Sequence, residues 1–423
     1  MASSAASLFQ HRDFRFYQLA RLCAGLAVQI ESTSIGMQLF DLTGSPLALG
    51  FTGLAQFLPF FLLVLVGGQV ADRVDRRRIL VVCQSVMLLC SLLLLSFTLG
   101  HVRDVRFVYG VLFLFGMARA FYSPASSALV PRLVPPEALT RAVTVNSTLW
   151  QVATIVGPAL GSALYAWRGP QASYVGSALL CALAVVCMGL LRIRTGAASR
   201  EPVSLATLMA GLRFVRRQRV LLGSITLDLF AVLLGGAVAL LPLYAREVLH
   251  TGPWGVGLLR SAMAVGAASV AFYLASHPLG GRAGWKMLGA VALFGVATLV
   301  FGLSHSLPLS AVALAVAGAA DMVSVGVRRT LEVVVTPDEM RGRVGAVNMI
   351  CVGASNELGE FRAGAAAEHQ GGVSAVVTGA LGTLAVVGFW AWAFPELRRV
   401  DTLEAAGRAA EPERTPEPVP AAH

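Results

Sequence analysis

Four ionisable side chains lie within otherwise apolar stretches of this chain: Glu31, Arg119, Asp228 and Asp321. A charge in a membrane interior costs at least about 2.5–3.5 kcal/mol, so each of them needs a reason. A carboxylate that loses and regains an arginine partner binds and releases a proton in turn. We therefore interpret Glu31, Asp228 and Asp321 as candidate proton-binding groups and Arg119 as their counter-charge. A static salt bridge, or the wall of a water-filled cavity, is the alternative.

The composition indicates an integral membrane protein. The chain has 423 residues, 56% hydrophobic and only 13% charged, with a mean hydropathy of +0.71. Soluble proteins have about 25% charged residues, so this chain lacks the polar surface that a soluble fold of its size needs. The net charge of +10 would also suit nucleic acid, but the arginines stand at the ends of apolar windows, as charges that set membrane topology do. We expect no nucleic-acid partner.

No motif for catalysis or cofactor binding is present in the sequence. We find no HExxH, GxSxG or Cys/His metal set, and no GxxxxGK phosphate loop. We therefore expect that the protein is not an enzyme, binds no metal or cofactor, and does not use ATP.

Twelve apolar windows have membrane-spanning length. They lie near 16–40, 48–70, 79–99, 107–130, 141–167, 171–191, 219–245, 253–275, 285–303, 308–328, 343–367 and 371–394. If both termini are cytoplasmic, the outer loops hold only Arg103, Arg106, Arg168 and Arg246, and most other arginines face inward. The positive-inside rule favours that orientation. We expect a multi-pass protein of a bacterial inner membrane with cytoplasmic termini.

A basic, amphipathic segment divides the chain in two. We predict an N-terminal six-helix bundle (1–191), a cytoplasmic linker (192–218) with a helix on the inner leaflet, and a C-terminal six-helix bundle (219–395). The remaining residues, 396–423, lack apolar content and should be a disordered cytoplasmic tail.

The two predicted bundles are related by an internal repeat. The segment VPPEALTRAVTVN at 134–146 matches TPDEMRGRVGAVN at 336–348 at a constant offset (337 − 135 = 202). The same offset relates Gly116 to Gly318, Gly157 to Gly359 and Arg119 to Asp321. We therefore expect Arg119 and Asp321 to face each other across a pseudo-two-fold axis.

Several segments together resemble the major facilitator superfamily of transporters. The segment GGQVADRVDRRR at 67–78 is similar to the family's signature loop, with Asp75 where glycine is usual. The segments HRDFRFYQLARL, DLTGSPLALG, SPASSALVPRLVPPEAL and ASNELGEF resemble the bacterial drug and siderophore (enterobactin-type) exporter branch. The resemblance implies an all-α fold of twelve transmembrane helices in two pseudo-symmetric bundles, with helices one, four, seven and ten lining a central cavity.

The resemblance also implies gating residues. In the loop these are Gly68, Asp72, Arg73, Arg76 and Arg77, although topology alone would also explain the arginines. Asp72 would bond the start of helix eleven in the outward-open state. Gly157, Pro158 and Gly161 resemble the core of the antiporter motif, and a packing kink is the alternative.

Helix eleven adds three charged residues, Glu357, Glu360 and Arg362. They suit either a substrate contact or a structural or gate pairing, with Arg362 as the cation for the two acids.

These features predict a secondary active transporter that exports a small amphipathic molecule (a siderophore, antibiotic or other drug), driven by the proton gradient. An importer or a lysophospholipid flippase of the same fold is the alternative. The expected partners are a small-molecule substrate and the lipid bilayer, and we expect a monomer.

Overall fold

The computed structural model of the protein describes residues 10–192, 205–277 and 280–401, and its regular structure within these ranges is helical. The helices are α1 Arg12–Thr43, α2 Pro46–Arg73, α3 Arg76–Leu99, α4 Arg106–Leu133, α5 Leu139–Gly189, α6 Leu205–Arg217, α7 Arg219–Gly235, α8 Pro253–Ser276, α9 Ala283–Leu303, α10 Leu307–Val335, α11 Asp338–Gln370, α12 Gly372–Ala393 and α13 Pro395–Arg398. Within the described ranges, nine helical stretches are long and apolar enough to cross a membrane. The all-α membrane class is thus confirmed, and the total of twelve spans stays a prediction.

Two helices that the sequence analysis counted as spans, α1 and α11, are not among the nine. Polar side chains dilute their apolar residues, such as Gln29 and Glu31 in α1 and Asn356 and Glu357 in α11. A further difference in count comes from α5, which is 51 residues long and contains non-helical backbone at Arg168 and Gly169. Glycine at 169 has φ +70, and Pro170 follows it, so the chain turns between the two predicted windows.

Local sequence signals set the turn between α1 and α2. Gly44 (φ +63) caps α1 in a left-handed conformation, and its N–H bonds the Phe40 carbonyl. Ser45 then caps α2 by accepting from the Ala48 N–H, and Pro46 occupies the first helical position.

The predicted continuous seventh helix is wrong at its end. Helix α7 ends at Gly235, and the chain continues through a short 3-10 turn (Val238–Leu240), a helical turn (Leu241–Leu243) and a π turn (Tyr244–Val248). Arg362 of α11 satisfies the last carbonyls of α7, donating to Leu233 (2.9 Å) and Leu234 (2.5 Å). A cation at a helix C-terminus is favourable on both hydrogen-bonding and dipole grounds.

The linker and the tail differ in part from expectation. Helix α6 is amphipathic, as expected, but it packs on α7 and α11 through Val215, Ile225 and Val344. Residues 395–401 are ordered rather than disordered: Leu397 is fully buried and the Asp401 side chain accepts from the Arg282 N–H (2.8 Å). The rest of the predicted tail, 402–423, and linker residues 193–204 lie outside the described residues.

The internal repeat has a structural counterpart. Helices α4 and α10 end at equivalent positions, Leu133 and Val335 (335 − 133 = 202). Gly116 of α4 packs against α2, and its equivalent Gly318 of α10 packs against α8. Equivalent glycines thus permit close contact between equivalent pairs of helices.

Two helix pairs join the N-terminal helices (α1–α5) to the C-terminal helices (α7–α12): α2 packs on α11, and α5 packs on α8. Glycines bring each pair close. A Cβ at Gly364 would lie 2.6 Å from the Pro46 oxygen, and one at Gly53 would lie 3.0 Å from the Glu357 carbonyl oxygen. A Cβ at Gly257 of α8 would lie 2.6 Å from the Ser162 hydroxyl of α5. We call these two contacts together the seam.

The seam lies toward one end of the helices. We name that end, where α1 finishes and α11 finishes, the Glu368 end, and the opposite end, between α2 and α3, the Arg76 end. Ser261 of α8 donates to the Ile155 carbonyl of α5 (2.6 Å). The close approaches on α2 (46–53) and on α8 (Gly257 and Ser261) fall in the half of each helix that is nearer the Glu368 end. The two sets of helices are therefore joined most tightly toward the Glu368 end.

The seam predicts opposite effects for two alanine substitutions on α11. Gly364→Ala places a methyl group against the Pro46 backbone, and we expect it to destabilise the protein by about 1–3 kcal/mol, as overpacking does. Gly342→Ala meets no atom within 4 Å, so helix propensity alone should stabilise it by up to about 1 kcal/mol. Thermal unfolding in detergent measures both, and an equal gain in stability for the two variants would contradict the close packing.

Candidate functional site

A cavity lies between the N-terminal and C-terminal helices. It holds about 660 Å³ of empty space, part of it open to solvent. Its apolar wall includes Leu49, Phe115 and Pro242, and its charged residues are Glu31, Arg260 and Glu360. The cavity therefore combines an apolar surface with a few polar groups, which is typical of small-molecule sites.

Glu31 of α1 is held by two serines. Its carboxylate accepts from the Ser91 hydroxyl of α3 (2.7 Å) and the Ser177 hydroxyl of α5 (2.8 Å). The residue is 7% exposed and borders the cavity. Among the four predicted charged residues, it alone borders this cavity, and the proton-coupling roles of the four stay predictions.

Arg119 has a partner that the repeat did not predict. Its guanidinium contacts the Glu357 carboxylate of α11 at 3.2 Å and lies over the Phe60 ring at 5.3 Å. The ion pair therefore joins α4 to α11 across the two sets of helices. The expected counter-charge relation with Asp321 is wrong, and so is a pairing of Glu357 with Arg362, which caps α7.

Asp228 and Asp321 lie within the C-terminal helices. Asp228 forms a buried ion pair with Arg328 of α10. Asp321 borders a second cavity, lined by C-terminal helices, which also contacts Asn356 and Glu360. Glu360 therefore borders both cavities.

Three residues of this site were missed as candidates. Arg328 had been counted among the topology-setting arginines, and Arg260 had only been noted as falling inside a helix. Ser91 carries no signal in a sequence, because nothing in its neighbours marks it as a partner of Glu31. Arg260 did carry a signal, since it is a charge within the apolar window 253–275.

Residues of the predicted gating loop bind the ends of neighbouring helices. Asp75 caps α3 by accepting from the Arg77 N–H (3.0 Å), which gives a reason for aspartate at this position. Arg76 is buried and donates to the Ala128 carbonyl of α4 (3.0 Å), and Arg77 donates to the Gly189 carbonyl at the end of α5. Both therefore bind carbonyl groups in the C-terminal turns of N-terminal helices.

The other residues of the loop lie on the last two turns of α2. Gly68 is within the helix, and Arg73 is its exposed last residue. Asp72 is helical, but its side chain lies outside the described part of the protein.

The Gly157-Pro158-x-x-Gly161 segment brings α5 against α1. A Cβ at Gly161 would lie 2.9 Å from the Ile30 Cα, and one at Gly157 would overlap the Gln29 side chain. The Pro158 carbonyl also lies 2.9 Å from the Cβ position of Gly257 in α8. The segment thus packs α5 against both α1 and the seam helix α8.

Two polar contacts close the Glu368 end. Asp41 of α1 pairs with Arg246 (2.9 Å) and accepts from Tyr165 (2.6 Å). Glu368 of α11 accepts from the Ser45 hydroxyl (2.7 Å) and the Leu47 N–H (3.2 Å) at the first turn of α2. Each contact joins the N-terminal to the C-terminal helices, and Glu368 also lies favourably at a helix N-terminus.

Comparison with known proteins identifies the class. The chain belongs to the transmembrane secretion effector family of major facilitator transporters, whose profile matches residues 3–419. The family resemblance read from the sequence is confirmed.

Two relatives are efflux proteins by name. The enterobactin exporter EntS of Citrobacter koseri is 26% identical over 345 residues, 80% of this chain and 81% of the relative. Macrolide efflux protein A of Streptococcus pyogenes is 25% identical over 275 residues, 61% of this chain and 65% of the relative. An uncharacterized transporter of Sinorhizobium fredii is 30% identical, but the match covers 41% of its length. The matches to macrolide efflux protein A and to the Sinorhizobium fredii transporter span less than two thirds of the length of those proteins.

Solved structures share the fold. A POT family transporter superimposes with a TM-score of 0.75 at 11% identity, over 91% of this chain and 96% of that one. A D-xylose–proton symporter superimposes with a TM-score of 0.68 at 16% identity, over 90% and 97%. The protein is therefore a multi-pass membrane protein with the major facilitator fold.

The Glu368 contact predicts a pH dependence of stability. Hydrogen bonds from Ser45 and Leu47 lower the pKa of Glu368 below its usual 4.5, and nearby His369 lowers it further. A lowered pKa adds stability that is complete above pH 4.5 and is lost as pH falls through the lowered value. We expect Glu368→Gln to reduce the loss of thermal stability on acidification.

The matched control is Glu339→Gln, at the opposite end of α11, which should leave the acid loss unchanged. Thermal unfolding of the three proteins across the acid range is the measurement. An acid loss that is the same in Glu368→Gln and wild type would contradict the contact.

Proposed function

We propose that this protein is a secondary active transporter that exports a small amphipathic molecule in exchange for protons by alternating access. The observation that carries the proposal is the charged, partly apolar cavity between two sets of helices that are joined at one end by the seam. A siderophore, an antibiotic or another drug suits such a cavity, and the names of the efflux relatives support export. The shared fold of a sugar symporter means that fold alone does not decide direction.

The proposed membrane layout has twelve spans in two six-helix bundles, residues 1–191 and 219–395, joined by the linker 192–218. The protein lies in a bacterial inner membrane as a monomer, with both termini cytoplasmic. In this layout the Arg76 end faces the cytoplasm and the Glu368 end faces outward. The structure is then inward-open, closed outside by the seam and the Asp41 and Glu368 contacts.

Asp321 is the proposed proton carrier. Asp228 is engaged by Arg328 and Glu31 by two serines, whereas Asp321 forms no hydrogen bond or ion pair with the described residues. A carboxylate without a partner is costly inside a membrane unless it is protonated. It also borders the cavity that reaches Glu360, and Glu360 in turn borders the substrate cavity.

Transport into inverted membrane vesicles tests the proposal. We expect energised vesicles that contain the wild-type protein to accumulate radiolabelled erythromycin or enterobactin, and to lose the accumulation when nigericin collapses the pH gradient. Asp321→Asn should retain downhill exchange but lose gradient-driven accumulation by at least about tenfold, as for a proton-transfer group. Asp104→Asn, in the exposed turn before α4, is the matched control and should accumulate like wild type.

Three results would count against the proposal. Absence of flux with both compounds would sink export, and accumulation that survives nigericin would sink proton coupling. Loss of substrate from inverted vesicles, against the gradient, would favour the importer or flippase alternative.

Asp72 is proposed as a one-sided latch at the Arg76 end. In the outward-open state, its carboxylate would approach the positive N-terminal end of α11. We expect Asp72→Asn to slow turnover with little change in substrate affinity, measured as exchange rate against half-saturating concentration. Unaltered turnover in that variant would refute the latch.

A further inference from the structure

Two opposite charges border the substrate cavity without pairing with each other. Arg260 lies on α8 and Glu360 on α11, and both line the cavity between the two sets of helices. Among the described residues, the ion pairs within 4 Å include neither of them. Each is costly in a membrane interior, and a direct pair would be the simplest way to offset both. Their separation therefore needs an explanation.

Arg260 bonds hydroxyl groups of α1 rather than the Glu360 carboxylate. One terminal nitrogen, Nη1, donates to the Ser32 hydroxyl (3.2 Å) and the Thr33 hydroxyl (3.0 Å) of α1. A guanidinium has five N–H donors in a fixed planar fork. The second terminal nitrogen and Nε bond no described residue, so the fork presents unused donors at the cavity. Such donors fit an anionic oxygen group, which they can bind in a bidentate manner.

The second charge, Glu360, lies where α11 meets α2. Its carboxylate lies beside Gly53 of α2, where an added Cβ would come within 3.2 Å of Oε2. The neighbouring acid Glu357, one turn earlier on α11, is already engaged by Arg119. Glu360 forms no hydrogen bond with the described residues, so its carboxylate is available to a ligand. A protonated amine is the group that such a carboxylate would recognise.

We propose that the cavity binds an amphoteric amphiphile, with an anionic oxygen group at Arg260, a cationic nitrogen at Glu360 and an apolar body against Leu49, Phe115 and Pro242. The inference rests on the proposed function only in taking this cavity as the transport site. An amphoteric ligand compensates both charges at once, whereas a singly charged one leaves the other uncompensated.

Equilibrium binding of three matched probes in detergent, at pH 7 and with no gradient, tests the proposal. The probes are N-(4-phenylbutyl)glycine, which is zwitterionic, its methyl ester, which is cationic, and N-(4-phenylbutanoyl)glycine, which is anionic. We expect wild type to bind the zwitterion at least about tenfold more tightly than either other probe, because each loses one charge-assisted contact.

Two variants assign the charges. Arg260→Gln should abolish the preference for the zwitterion over the ester and keep the preference over the anion. Glu360→Gln should do the reverse. Arg103→Gln removes an exposed arginine in the turn between α3 and α4 and should keep both preferences. Arg260→Lys retains a cation and should keep part of the first preference. Thermal unfolding of each variant checks that it is folded.

Equal binding of the three probes by wild type, or no saturable binding of the zwitterion, would overturn the proposal. So would variants that are folded and keep both preferences. The binding test uses no gradient, so it does not depend on whether the protein exports substrate with protons. A zwitterion preference without proton-driven export would support the binding proposal alone. Proton-driven export of a singly charged substrate, without a zwitterion preference, would support the proposed function alone.

Discussion

The close contact between α2 and α11 is the constraint on which the rest of the structure depends. Backbone approaches backbone at Gly50, Gly53 and Gly364, which is possible only because these positions carry no side chain. The contact brings Glu357 within reach of Arg119, Glu368 within reach of the first turn of α2, and Glu360 to the cavity wall. If the two helices were further apart, Glu357 would not reach Arg119, Glu368 would not reach the first turn of α2, and Glu360 would not lie at the cavity wall.

The charges inside the membrane region fall into two groups. Some are fixed: Asp228 by Arg328 within the C-terminal helices, and Glu31 by two serines within the N-terminal ones. Others lie between the two sets: the Arg119–Glu357 pair, Arg260 and Glu360. The first group does not depend on how the two sets are arranged. The second group changes its surroundings when they move, and charges of that kind are the ones that can couple ligand or proton binding to movement.

The sequence predicted the parts of the fold that depend on local patterns. The apolar windows and the repeat offset correspond to described helices and their ends. It failed where three-dimensional packing decides. The repeat pairs Arg119 with Asp321 by symmetry, but the seam brings Glu357 to Arg119 instead. The last carbonyls of α7 are bonded by Arg362, which is distant in the sequence. The local hydropathy of residues 219–245 does not indicate such a partner. Arg260 and Arg328 were visible in the sequence, but only the packing separates a charge that lines a cavity from one that sets topology.

The central claim is that the seam is a reversible closure of the Glu368 end. Pulsed electron–electron distance measurements in nanodiscs test it, with one spin-label pair at Leu42 and His369 across that end and another at Val143 and Phe272 across the Arg76 end. The account predicts two distance populations at each end that change in opposite directions when pH or ligand is varied. A single fixed distance at the Glu368 end under all conditions, or both ends opening together, would contradict it.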